Sequence, residues 1–240
     1  MSGHSKWQNI RRTKEKTDAQ KGKIFTKLGR EIAVAVKSGG ADPTTNNKLK
    51  DIITKAKSAN MPNDSITRAI KKASGDLDNI NYSEITYEGY GIGGVAVIVQ
   101  CLTDNKNRTA GDVRHSFDKY GGSLGSDGCV SYLFSEKAVV LIDKNGADMD
   151  KLYDDALSVD VDDIEEADEY FEVTGKPENL SEIKNHLESC GYNILSAENQ
   201  LIPSNYVELD ENKKSSFEKM IDKLEENDDV QEIYHNAVLD

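Results

Sequence analysis

A chain of 240 residues with 37% hydrophobic and 30% charged residues is long enough for one to three domains. Its apolar residues cluster in periodic runs, which argues for folded domains rather than disorder, and no run of eighteen apolar residues offers a membrane-spanning helix. The net charge of -13 hides a split: residues 1–72 hold 17 Lys and Arg against 6 Asp and Glu, and residues 73–240 hold 13 against 37. A basic segment on an acidic body points to a polyanion partner, or else to attraction between the two halves or to a second copy.

Residues 1–16 lack an apolar period and carry Lys6, Trp7, Arg11, Arg12, Lys14 and Lys16, so they read as a flexible basic arm. No apolar core or small-residue cleavage site marks a secretory signal there. Trp7 suits stacking on a base, or folding back as an apolar staple, which is favoured.

Three amphipathic helices are expected next. The first spans about Asp18 to Ser38 and stops at Gly39-Gly40. It turns Ile24, Phe25, Leu28, Ile32, Ala35 and Val36 to one face and Lys23, Lys27, Arg30 and Lys37 to the other. The second begins near Thr45, buries Leu49, Ile52, Ile53 and Ala56, and ends at Asn60 before Met61-Pro62. The third is capped by Asn63 or Asp64, buries Ile66, Ala69, Ile70 and Ala73, and presents Arg68, Lys71 and Lys72 outward. Met61-Pro62 reads equally as a packed turn or as an exposed tip. Lysines and arginines of one sign over three helices and an arm favour phosphate contact, which fixes position without reading bases.

Beyond Gly75 the period changes to that of strands. Ile85–Tyr87 and Val95–Leu102 flank a glycine turn, Thr109–Tyr120 is a helix, and Cys129–Phe134 a strand. Gly89, Gly91 and Gly94 satisfy the dinucleotide-loop spacing, but a strand follows them where that motif needs a helix, so a turn is favoured. Lys106 and Arg108 lead into a helix N-terminus, a place where phosphate binds, or simply a polar connection. Residues 139–202 then read strand, helix, strand, strand, helix, strand, the ferredoxin-like order. A strand-helix-strand tail (Tyr206–Leu209, Lys213–Glu226, Val230–His235) has no partner of its own and is expected to complete the sheet begun at residue 85. The expected fold is therefore α+β and multidomain. A helical bundle covers 1–79, a discontinuous α+β domain covers 80–135 and 204–240, and a ferredoxin-like insertion covers 136–203.

Little points to catalysis. The acidic run Asp160–Glu169 places Glu165 where a calcium loop needs Gly, and reads as a solvated loop. His4, His115, His186 and His235 have no metal-ligand spacing, and Cys101, Cys129 and Cys190 form no C-x-x-C pair, so reduced thiols of a cytoplasmic protein are expected. No cofactor, metal or small-molecule substrate is expected.

The strings GHSKW (Gly3–Trp7), GKIFTKLGREI (Gly22–Ile32), ANMPNDSITRAIKKASG (Ala59–Gly75), YEGYGIGG (Tyr87–Gly94) and the run Thr103–Phe134 extend over the chain. Together they resemble the YebC family, whose mitochondrial relative is a translational activator of cytochrome oxidase. Ile92 and Asn47 stand where many members carry Pro. The resemblance implies the same bundle-plus-insertion fold and a non-enzymatic regulator of gene expression. One family label is a ribosome-associated factor that assists synthesis through proline-rich stretches, and the other is a DNA-binding transcriptional regulator. The expected partner is ribosomal or other structured RNA, alternatively DNA, with basic ribosomal proteins as further contacts and no membrane. The expected contact residues are the arm cations with Trp7, then Lys23, Lys27, Arg30, Lys37, Met61, Arg68, Lys71, Lys72 and Arg108.

Overall fold

A computed structural model describes residues 18–75 and 81–239. The chain divides into two compact units, one holding residues 131–208 and 236–239, the other the remaining described residues to 130 together with 209–235. The helical bundle and the first sheet both fall in the second of these units.

That unit opens with helices α1 (Asp18–Gly39), α2 (Asn47–Ser58) and α3 (Asn63–Ser74). The 3.6-residue period places Leu28, Ile32, Ala35, Val36, Leu49, Ile52, Ala56 and Ile66 in one buried core. The link after α1 is tied by Asn46. Its side chain caps α2 by accepting from the Leu49 N–H at 3.0 Å and donates to the carbonyls of Ala35 and Gly40, each at 2.8 Å. Asn46 suits this place because an amide both accepts and donates twice over. Helix α3 starts at Asn63, one of its two expected caps, with Pro62 in the cap position and no side-chain cap.

Met61 is buried, 7% exposed, in the bundle core, which corrects its reading as an exposed tip. The backbone explains it. Asn60 takes a left-handed φ of 59°, its N–H donates to Lys57 O, and the Met61 N–H donates to Ala56 O. This is a Schellman end, in which the residue after the left-handed position folds back onto the helix's last turn.

The sheet of this unit is antiparallel in the order β3-β1-β2-β9, formed by β1 (Ser83–Tyr90), β2 (Ala96–Thr103), β3 (Ser123–Leu124) and β9 (Val230–His235). Helices α4 (Lys106–Lys119) and α7 (Glu211–Glu225) pack with it. The glycine motif is the turn between β1 and β2. A Cβ on Gly91 would lie 2.9 Å from the Phe217 ring, so glycine serves helix-to-turn packing there. The tail strand β9 does pair with β2, from Val97↔His235 to Cys101↔Val230. Of the expected strand Cys129–Phe134, residues 129–133 are not strand. The Glu88 carboxylate accepts from the N–H groups of Gly128 (3.0 Å) and Val130 (2.9 Å), so those donors are taken from any ladder.

The other unit runs β4 (Phe134–Asp143), α5 (Met149–Ala156), β5 (Val161–Glu166), β6 (Tyr170–Gly175), α6 (Leu180–Ser189) and β7 (Ile194–Pro203). Its sheet order, β5-β6-β4-β7 with all pairs antiparallel, is the ferredoxin-like topology. Val140, Ile142, Leu152, Ile164, Val173, Ile183 and Leu187 form the core between sheet and helices. The acidic run is largely β5, not a loop: Asp160 pairs with Lys176 at 2.7 Å and Asp162 with Lys137. The short β8 (Val207–Glu208) does not join the first sheet as the tail reading expected. It pairs in parallel with β10 (Ala237–Val238) in this unit.

Candidate nucleic-acid interface

The cations of the bundle fall into two groups with different surroundings. The first is the stripe of α1. Lys23 donates to the carbonyl of Glu226 and Lys27 to that of Glu225, both at 3.2 Å. These are carbonyls at the end of α7, which no further helical turn satisfies and where the helix dipole is negative. Lys37 donates to Asn81 Oδ1 at 3.4 Å. Arg30 reaches furthest: it donates to the carbonyls of Asp228 (2.9 Å) and Leu102 (3.3 Å) and to the Asp229 carboxylate, with Tyr82 beneath its guanidinium.

Asp229 is the hub of this contact. It is 2% exposed, on the turn between α7 and β9. Besides Arg30 it accepts from Arg108 (2.7 Å) and from the hydroxyls of Thr109 (2.7 Å) and Thr103 (3.1 Å). Burial alone would raise its pKa, but bonds from Arg108, Thr109 and Arg30 outweigh it and hold the group at about 2. The Arg108 guanidinium also donates to Asp104 at 2.8 Å, and both carboxylates raise its pKa further. Helix α4 starts at Lys106, capped by Asn105, so Arg108 lies inside the first turn rather than ahead of it. Its fork is engaged by two acids, which accounts for its place without a phosphate.

The second group faces outward. Helix α2 splits its lysines between two flanks. Lys48 and Lys55 pair with Glu84 (3.3 Å) and with Glu232 and Glu31 (3.1 and 3.4 Å). Lys50 and Lys57, seven residues apart and so on the same flank, are exposed. On α3, Arg68, Lys71 and Lys72 are exposed on the side away from Ile66. Arg68 bonds only within its own helix, to Asp64 O at 3.2 Å and Ser65 Oγ at 3.3 Å. Among the described residues Lys50, Lys57, Arg68 and Lys71 carry no ion pair. Lys6, Trp7, Arg11, Arg12, Lys14 and Lys16 lie outside the described residues.

Sequence reasoning ranks the α1 stripe and the α3 face alike, because each is a run of cations at helical spacing. It misses Asp229 and the Lys50–Lys57 flank. No period marks a lone buried aspartate in a turn, and its partners come from residues 30, 103, 108 and 109.

Two groupings with a catalytic appearance are not poised for chemistry. The Cys190 thiol lies 3.7 Å from His186 Nε2, but that nitrogen is 2.7 Å from the Asp155 carbonyl. A carbonyl only accepts, so the Nε2 proton points to it and the ring is no base toward the thiol. Burial, with Asp229 adding to it, pushes the Cys101 thiol up to about 12, which keeps it protonated.

Comparison with known proteins assigns the family. The description "TACO1/YebC protein N-terminal domain" matches residues 5–76, and "TACO1/YebC second and third domain" matches residues 82–237. A probable transcriptional regulatory protein of Acetivibrio thermocellus is 56% identical over 238 residues, covering 98% of each chain. A second one, from Hathewaya histolytica, is 53% identical over 99% of this chain and 97% of its own. The crystal structure of a conserved hypothetical protein from Aquifex aeolicus is 43% identical, covers 93% of each chain and superposes with a TM-score of 0.82. Three N-terminal helices followed by two antiparallel-sheet α+β domains, matched along nearly the whole length, show that the chain belongs to the TACO1/YebC family.

Proposed function

We propose that this chain is a non-enzymatic regulator of gene expression that binds nucleic acid through the outward cations of its helical bundle. The observation that carries the reading is the contrast on the bundle. Lys50, Lys57, Arg68 and Lys71 are exposed and carry no ion pair among the described residues, whereas Lys23, Lys27 and Arg30 are bonded to the acidic body. The contact set expected from the sequence therefore contracts to α2, α3 and the basic arm. Lys37 stays at its margin, Lys72 lies beside Lys71, and Met61, Arg30 and Arg108 serve structure. Contacts of this kind hold phosphates and leave bases unread.

Within that reading, the partner is structured RNA in the ribosome, and the role is assistance to synthesis through proline-rich stretches. Shaped RNA suits a compact bundle that carries charge without base-reading side chains. A DNA-binding regulator is the second reading, supported by the names that the Acetivibrio and Hathewaya relatives carry. Cross-linking the protein in cells and sequencing the attached nucleic acid decides between them. Ribosomal RNA, together with longer pauses at proline runs in a deletion strain, is the expected result. Chromosomal DNA at promoters, with unchanged pauses, overturns the ribosomal reading in favour of the second.

A further inference from the structure

The ferredoxin-like unit carries a surface of the opposite character. Residues 131–208 hold 19 Asp and Glu against 5 Lys. On this unit, helix α5 buries Leu152 and Ala156 against the core. Its opposite side reads Asp150, Tyr153, Asp154, Leu157, the spacing that lines up one stripe of a helix. Leu157, in the turn that continues the helix with right-handed φ and ψ, is 83% exposed, and Tyr153 is 46% exposed. Asp150 and Asp154 are exposed beside them and carry no ion pair among the described residues, whereas the neighbouring Asp155 is paired with Lys151 at 2.9 Å. The Tyr153 hydroxyl donates to the Ile164 carbonyl at 3.1 Å, which ties the end of the ring to β5 while the residue stays exposed.

We infer that this stripe of α5 is a docking surface for a basic protein segment, a Lys- or Arg-rich helix or peptide with an apolar anchor. Charge complementarity names the occupant. An acidic unit repels nucleic acid and the acidic unit of another copy, while cations of a basic segment find Asp150 and Asp154 at the spacing of one helical turn. The apolar pair gives that segment something to bury, since a helix laid on another uses anchors at the same i, i+3, i+4 spacing. Tyr153 is a rigid ring of the kind that dominates such contacts. The area is small, so the contact is weak and reversible. The protein would thus engage phosphate with its bundle and a basic protein with its acidic unit, as a surface mixing RNA with basic proteins requires.

The test uses the full chain and a fluorescent sixteen-residue helix-forming peptide with two Leu four residues apart and Lys on both flanks. Anisotropy is expected to rise with protein concentration. Leu157→Ser, at a position too exposed to affect folding, is expected to weaken binding on the order of tenfold, the loss typical of an anchor residue. The double variant Asp150→Asn, Asp154→Asn is expected to flatten its salt dependence. A matching peptide with Ser in place of both Leu is expected to bind at least tenfold less tightly. Equal binding of the two peptides, or no effect of Leu157→Ser, overturns the proposal. A dimer dissolved by Leu157→Ser in sedimentation would make the surface a self-contact instead, and weakened RNA binding by that variant would make it a nucleic-acid contact. Either also overturns it. Affinity of Leu157→Ser for RNA is measured separately, so failure here leaves the bundle reading standing.

Discussion

Asp229 is a carboxylate that folding takes out of water and surrounds with two guanidinium groups and two hydroxyls. Removing one partner of such a cluster leaves the others buried without compensation, which costs about 3 kcal/mol. Asp229→Asn is therefore expected to lower unfolding stability by roughly that amount at neutral pH, read from urea melts. The acid response follows from the same group. Its pKa of about 2 in the fold lies below the 3.8 of a free aspartate. Its stabilisation, about 2 kcal/mol, is fully present above pH ~4 and is lost as the pH falls toward 2. The variant's stability curve should be flatter in that window, and identical slopes would show that the cluster contributes nothing. Met61 makes a second case. In the bundle core, Met61→Ala should cost about 2–3 kcal/mol and leave nucleic-acid affinity unchanged where the variant remains folded. Weaker affinity with native stability would restore the exposed-tip reading.

Among the elements, α7 and β9 hold both parts of their unit. Strand β9 hydrogen-bonds the edge of β2, and the end of α7 supplies the carbonyls that Lys23 and Lys27 reach. Deleting residues 209–240 should raise amide exchange in β2 and, because those lysines and Arg30 lose their acceptors, in α1 as well. Hydrogen exchange read by mass spectrometry checks this. Native protection of both segments would mean that the tail is dispensable. The helices themselves are readable from spacing, since Leu28, Ile32, Leu49, Ile52 and Ile66 recur at the helical period and are buried as expected. The stretch 129–133 is not, because its apolar residues suit a strand, whereas the distant Glu88 carboxylate takes the Val130 N–H. Asn60-Met61-Pro62 does hold a legible signal for a packed turn: Asn in the left-handed position, then an apolar residue that folds back, then Pro.

For the whole molecule, the proposed function rests on the charge split. If the outward cations bind phosphate, replacing Lys50, Lys57, Arg68 and Lys71 by Ala should weaken binding to any duplex. The log–log salt slope should fall by roughly 0.9 for each phosphate no longer neutralised. Replacing Lys23 and Lys27 should change stability and leave that slope alone, and the reverse pattern would return the interface to α1. The amino-acid sequence alone determined the three helices, the ferredoxin-like order and the sign of each half. Those properties are local: a period of 3.6 or 2, a turn residue, a sum of charges. Which cations of the bundle are bonded to a distant element was decided only by tertiary structure. A helix face of lysines has the same spacing whether it looks toward water or toward the open carbonyls of another helix. The choice for Lys23, Lys27 and Arg30 was made by residues far along the chain, at Glu225, Glu226 and Asp229.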